Sequence, residues 1–174
     1  MYWFTSDEHY GHKNIIKYCN RPFVDIDEND ETIIANLNEV VKDNDTVIHG
    51  GDTTLANKMT AQKYIERLKG KHIFIIGSHD YWLGKKKPPT IWEKKIEGQY
   101  VVVCHYAMMT WPRAHYGSWM LFGHSHGSLD LPGKMWDIGV DNNGFYPVSF
   151  EQIYEIMKER NYENADTRKR FYTH

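Results

Sequence analysis

Only two cysteines, Cys19 and Cys104, occur in 174 residues. They show neither C-x-x-C nor metal-knuckle spacing, which excludes a disulfide framework or a thiolate cluster as the basis of the fold. No stretch approaches the roughly eighteen apolar residues of a membrane span, so the bilayer is not an expected partner. The opening "MYWFTSDEHYGHK" lacks the apolar core of a signal peptide, and a reducing, cytoplasmic setting is expected. Charge of one sign is also lacking. Lys and Arg number 21 against 23 Asp and Glu, a net charge of -2. That balance gives no general attraction to nucleic acid, so any polyanion must be held locally. Internal repeats, low-complexity tracts and long linkers are absent as well. A chain of this length can bury about 70% of its unfolded surface in one core, so a single domain over 1–174 is expected.

What is abundant is histidine, at ten residues. The chain alternates short apolar runs with amphipathic ones. "YWFTS" (2 to 6), "TVIHGGD" (46 to 52), "HIFIIGSHD" (72 to 80), "YVVVCHY" (100 to 106) and "WMLFGHSHG" (119 to 127) read as buried strands that end in polar residues. Between them, Ile33, Ile34, Leu37, Val40 and Val41 recur on one helical face after the acidic "DENDE". "TAQKYIERLKG" (60 to 70) reads as a helix with a glycine stop, and "PVSFEQIYEIMKE" (147 to 159) as a capped last helix. This alternation predicts an α/β fold. Paired prolines and lysines in 81 to 98 predict an irregular insertion, either a solvated loop or a lid. The polar tail after 159 is expected to be loose or helical.

In α/β sheets, ligands bind beyond the carboxyl ends of the strands. Each predicted strand here ends in the same chemistry. Asp7 and His9 follow the first, Asp52 the second, Ser78, His79 and Asp80 the third, His105 the fourth, and His124 with His126 the fifth. One lone histidine after a strand is usually structural, but five coincidences point to one site. Mixed carboxylate and imidazole donors suit a pair of transition-metal ions about 3.5 to 4 Å apart, bridged by a carboxylate. On an extended segment Asp7 and His9 would share a side, as would His124 and His126, while Glu8 and Ser125 would point away. The same "GHSHG" also fits the G-x-S-x-G nucleophile elbow. That motif needs a helix after the serine, however, and "HGSLDLPGK" opposes one. Ser125 therefore reads as a spacer.

"DEH" (7 to 9), "GD" (51 to 52), "GSHD" (77 to 80), "CHY" (104 to 106) and "GHSH" (123 to 126) resemble, in order, the motif set of the calcineurin-like metallophosphoesterases. "DIGVDNNGFYPVS" (137 to 149) resembles that family's closing strand segment, and "TSDEHYGHKNIIKYCNRPF" the opening of its small bacterial and phage-type members. The resemblance implies a two-sheet sandwich flanked by helices. It also implies two divalent cations, Mn, Fe or Zn, with Mn serving in vitro. One would be held by Asp7, His9, Asp52 and His126, the other by Asp52, His105 and His124, and a water activated between them would attack phosphorus. His79 would protonate the leaving oxygen, with Asp80 either orienting its ring or capping a turn. The family places Asn where this chain has Ser78. Serine reaches less far, which predicts a weaker second site.

Beyond the metals the substrate reading is thinner. Tyr81, Trp82, Trp92, Trp111, Trp119 and Trp136 fall in or near rim segments and would either stack on bases or pack the core. Lys85 to Lys87, Lys94, Lys95, Arg113 and His115 would either meet phosphate or remain solvated, and His12 would either touch substrate or serve structure. These features predict a phosphodiesterase acting on nucleotides or nucleic-acid ends. A metal-binding or silent scaffold of the same fold, as in the retromer subunit, is the alternative of another class.

Overall fold

The computed structural model describes residues 1–84 and 88–160. In chain order its elements are β1 (Tyr2–Thr5), α1 (Ile15–Tyr18), α2 (Ile26–Val40), β2 (Thr46–His49), α3 (Lys58–Ile65), β3 (Lys71–Phe74), β4 (Ile91–Ile96), β5 (Gln99–Cys104), β6 (Trp119–Phe122), β7 (Met135–Asp137), β8 (Val148–Ser149) and α4 (Phe150–Glu159). The strands form two four-stranded sheets, ordered β3-β2-β1-β8 and β4-β5-β6-β7. Strands β1, β2 and β3 run parallel, as do β5, β6 and β7, while β8 and β4 are antiparallel edges. The fold is thus an α/β sandwich flanked by helices.

The two-residue period of the strands builds the layers. Phe4, Ile48, Val101, Val103 and Leu121 enter the core between the sheets, where Ile153 and Met157 of α4 join them. Their neighbours Trp3 and Val47 point the other way, against Ile33, Ile34 and Leu37 of α2. On the far side, Val102, Met120 and Phe122 meet Trp111 and Ala114. Each large side chain buried here contributes roughly 1.5 to 3 kcal/mol.

Caps set the helix bounds. Asp25 accepts from the Glu28 amide at 2.9 Å to start α2, with Asp27 and Glu28 in its first turn suiting the helix dipole. Asn57 accepts from Thr60 at 3.1 Å, so α3 begins before residue 60. It ends at Ile65, short of the expected 70. Ser149 and Gln152 form a reciprocal capping box, so α4 starts at Phe150 rather than at 147, and Val148–Ser149 pairs with β1 instead.

The expectation of an irregular insertion over 81 to 98 is corrected in its second half. Ile91–Ile96 is a strand whose six residues all pair with Gln99–Cys104. Glu97 and Gly98, with φ of 47° and 92°, close the hairpin; two left-handed turn residues match the twist of the strands they join. Tyr81–Leu83 forms one 3-10 turn. Lys85 to Lys87 and the tail after residue 160 lie outside the described residues. Among the described residues no helix is long and apolar enough to cross a membrane.

Leu121 is fully buried between the sheets. Leu121→Ala is expected to lower unfolding stability in urea by about 2 to 5 kcal/mol, and a loss below about 1 kcal/mol would contradict this packing.

Candidate metal centre

The carboxyl ends of β1, β2, β3, β5 and β6 deliver their polar residues to one place. Asp7, His9 and His126 form one group in which a ligand atom from each lies within 4.8 Å of the others, and Asp52, His105 and His124 form a second. Asp52 links the two. Its Oδ2 lies 3.3 Å from His105 Nε2, 3.8 Å from His9 Nε2 and 3.9 Å from His79 Nε2. His126 Nε2 lies 4.0 Å from Asp7 Oδ1.

The path of the chain into this cluster differs from the extended one expected. Asp7, His9, Asp52, His124 and His126 all have φ between 48° and 67°, in the left-handed region. Such residues cost on the order of 1 kcal/mol or more each, and they collect where surrounding contacts over-determine the backbone. Here Asp7 and His9 donate their amides to the carbonyls of Gly51 and Asp52 at 3.0 and 3.1 Å, and His124 donates to Asp7 Oδ2 at 2.9 Å. Left-handed residues break the two-residue alternation, so His124 and His126 go to different groups instead of sharing one side.

Two motif glycines are required by close approach. A methyl group on Gly77 would collide with Asp52 Oδ1 and its amide, and one on Gly123 with Ser6 Oγ and Asp7 Oδ2.

The site buries acids and imidazoles together. Asp7 Oδ1, both ring nitrogens of His9, and His105 Nε2 are buried with no hydrogen-bond partner; His105 Nε2 lies 3.3 Å from Asp52 Oδ2, while its Nδ1 meets the Gly50 carbonyl. Unpaired buried polar groups are costly, and a cation is what carboxylate and imidazole lone pairs converging this way would satisfy. Burial pushes the Asp7 carboxyl up to about 7 against the opposing pull of His105 and His126, and it pushes His9 down to about 3. Burial works against charge on His105 and His126 too, but the carboxylates of Asp52 and Asp7 raise His105, and those of Asp141 and Asp7 raise His126. Asp52 is likewise opposed by burial, yet the adjacent His105 ring and the His79 amide hold it below the usual carboxylate range.

Ser78 donates its hydroxyl to Asp52 Oδ2 at 2.9 Å, so it braces that carboxylate. The His79 amide donates to Asp52 Oδ1 at 2.8 Å, and its ring stands part-exposed beside the cluster. Asp80 does not orient that ring. Its two oxygens are taken by the amides of Asp52, Thr53 and Gly77 and by the Trp82 indole, at 2.7 to 3.0 Å, which makes it the clamp of the Asp52 loop. Ser125 gives its hydroxyl to Asp137 at 2.5 Å in a turn with no helix after it, and Glu8 also points away from the cluster.

An open cleft of about 800 Å³ is lined by His9, Asp52, Ser78, His79, His124 and His126, and by His12. The His12 ring is 5.4 Å from that of His9 and 6.3 Å from that of His79. Arg113 and His115 are not among the lining residues. Arg113 lies 4.6 Å over the Tyr100 ring, near the end of β5 opposite His105, and His115 packs on Tyr116. Trp82, Trp111 and Trp119 are buried and Trp92 and Trp136 pack against the core, so the tryptophans serve packing.

Sequence reasoning missed Arg21. It is buried, and all five of its guanidinium N–H groups are used: on both Asp141 oxygens at 2.8 Å, on the carbonyls of Glu8 and Asp7 at 3.0 and 2.7 Å, and on Asn29 at 3.0 Å. Asp141 in turn accepts from His126 Nδ1 at 2.7 Å, which fixes the tautomer that leaves Nε2 facing Asp7. Glu8 was missed too. It pairs with His49 Nδ1 at 2.8 Å, and His49 Nε2 meets His72 Nδ1 at 2.9 Å, tying the first strand end to β2 and β3.

Burial and the neighbouring His49 push the His72 ring down to about 4 from an ordinary 6.5. Between those values the unfolded chain holds a proton that the folded one refuses. This contribution to stability is therefore complete above pH 6.5 and is lost as the pH falls toward 4. Allowing for the partial exposure of the ring, the loss is on the order of 2 kcal/mol. Thermal unfolding of the wild type is expected to depend more steeply on pH in that window than unfolding of His72→Gln; equal slopes would contradict it.

No family model matches the chain. It is 30% identical over 166 residues to the uncharacterized protein MJ1445 of Methanocaldococcus jannaschii, covering 90% of this chain and 91% of that one. It is 35% identical over 81 residues to the Gene 66 protein of Mycobacterium phage L5, covering 45% and 39%. Among solved structures, the protein of unknown function AQ665 from Aquifex aeolicus superposes with a TM-score of 0.69 at 22% identity, over 90% of this chain and 98% of that one, and shares the fold. A conserved uncharacterized protein of Streptococcus pneumoniae TIGR4, described as a predicted phosphoesterase, gives 0.46 at 16% identity over 79% and 70%. By identity and coverage, the chain belongs to the family of MJ1445.

Proposed function

We propose that this chain is a metal-dependent phosphoester hydrolase that holds two divalent cations, one among Asp7, His9, Asp52 and His126 and the other among Asp52, His105 and His124. The observation that carries this reading is a single carboxylate, Asp52, set between two Asp/His groups in which Asp7 Oδ1, the His9 ring nitrogens and His105 Nε2 are buried without a hydrogen-bond partner. The resemblance of the five motifs to the calcineurin-like metallophosphoesterases supports it from the sequence. When bound, such a pair supplies water activation and neutralisation of charge on the phosphoryl oxygens. Mixed nitrogen and oxygen donors favour Mn, Fe or Zn over Mg or Ca.

The chain's own residues do the rest. His79 stands in the cleft with its backbone pinned to Asp52, and in this reading its ring gives a proton to a leaving oxygen. His12, on the same cleft, would donate a hydrogen bond to a phosphoryl oxygen. Ser78 and Asp80 hold Asp52 from two sides, and Arg21 with Asp141 holds His126.

Hydrolysis of bis-p-nitrophenyl phosphate is expected to require Mn²⁺, to stop with chelator and to return on adding the metal. Asp52→Asn is expected to lower kcat/KM by about a hundredfold or more, and His79→Ala to lower kcat by a similar factor. Turnover unaffected by chelation or by Asp52→Asn would overturn the proposal.

A further inference from the structure

Two exposed tyrosines stand near the ligand cluster, Tyr18 lining the cleft and Tyr106 outside its lining but in ring contact with His124, which lines it. Tyr18, the last residue of α1, lines the cleft with 69% of its surface open, and its ring is 6.0 Å from His12, which neighbours His9 of the first group. Tyr106 follows His105 and is 47% exposed; its ring sits 4.7 Å from that of His124 and 4.8 Å from that of His105, both of the second group. Large aromatic surface left in water at a binding cleft is available for stacking, and stacking on a base is sequence-tolerant because every base has a π-face.

The rest of the cleft says what else the ligand carries. At about 800 Å³ it is far larger than a phosphate group requires and falls in the range of sites for sizeable organic ligands. Ile15 and Leu55 give it apolar wall. None of the described residues lining it is Lys or Arg, and the five donors of nearby Arg21 are all engaged. Among the described lining residues, the further charges of a polyphosphate or of a sugar bearing several phosphates would meet no lysine or arginine. That lining suits one phosphate between two planar groups.

We infer that Tyr18 and Tyr106 are stacking platforms for the two bases that flank a single phosphodiester, so that the substrate is a dinucleotide step at a nucleic-acid end. This rests on the hydrolase reading for the phosphate, and on the tyrosines alone for the bases.

The test uses the dinucleotide d(TpA), whose two bases give separate NMR signals. With EDTA-treated protein, saturation-transfer NMR is expected to show both bases receiving saturation from the protein. Tyr18→Leu should lose one base and Tyr106→Leu the other, while the Phe variants keep both. With Mn²⁺-loaded protein, KM for d(TpA) is expected to rise about fivefold or more in each Leu variant. The methyl ester of thymidine 5′-phosphate, which has one base, should respond to only one of the two. Tyr154→Leu, at an exposed tyrosine on α4, is the control expected to change nothing. If neither base is saturated, or if the Leu variants leave both signals and the ratio of the two substrates unchanged, the tyrosine assignment is wrong. If the loaded wild type cleaves no phosphoester, the hydrolase reading fails, and the NMR result still decides the role of the tyrosines.

Discussion

A buried carboxylate shared between two sets of imidazoles is the constraint around which this molecule is arranged. Asp52 lies at the end of β2, and its Oδ2 is within 4 Å of nitrogens from His9, His79 and His105. Those rings come from the ends of strands in both sheets, so the sandwich meets itself at this point. Packing alone does not explain such an assembly. Hydrophobic residues of similar volume would cost less than buried charge and orphaned ring nitrogens, and five of the residues involved also adopt left-handed backbone. The core between the sheets, built from Phe4, Ile48, Val101 and Leu121, packs beneath them.

Around this centre lies a second ring of groups whose only visible work is to hold the first. Asp80 receives three amides and an indole, Asp137 receives Ser125 and the Gly127 and Gly139 amides, and Asp141 receives Arg21 and His126. Each carboxylate is satisfied, unlike Asp7, whose Oδ1 has no partner. Asp52 stands between the two sets, because it faces the cluster while Ser78 and the His79 amide bond its oxygens. The glycines at 77 and 123 cannot carry a side chain because the loops press against the ligand carboxylates themselves.

Much of this was legible in the chain, for identifiable reasons. Runs such as "TVIHGGD" and "YVVVCHY" show both the strand and the polar residue that ends it, so the convergence of acids and imidazoles followed from an α/β order. The parallel crossovers β1 to β2 and β2 to β3 were visible as helical periodicity between apolar runs. Strand β4 was hidden because an exposed edge strand carrying Glu93, Lys94 and Lys95 has no apolar pattern, and β7, with three residues, is too short to show one. The role of Arg21 depends on Asp141, 120 positions away, and no local signal links them. Of the two readings of Asp80, the ring-orienting one fails because sequence adjacency to His79 says nothing of direction, and its side chain turns toward the Asp52 loop. The tryptophans belong to strands and turns that face inward, whereas the exposed Tyr18 closes a one-turn helix and Tyr106 lies just past β5, where periodicity gives no guidance.

Anomalous scattering from crystals grown with Mn²⁺ addresses the central claim most directly, because it locates each cation without reference to turnover. Two peaks are predicted, both within coordination distance of Asp52, one also touching Asp7, His9 and His126 and the other His105 and His124. A map with no peak at the cluster, or with manganese bound only elsewhere, would contradict the reading of these residues as a dinuclear centre.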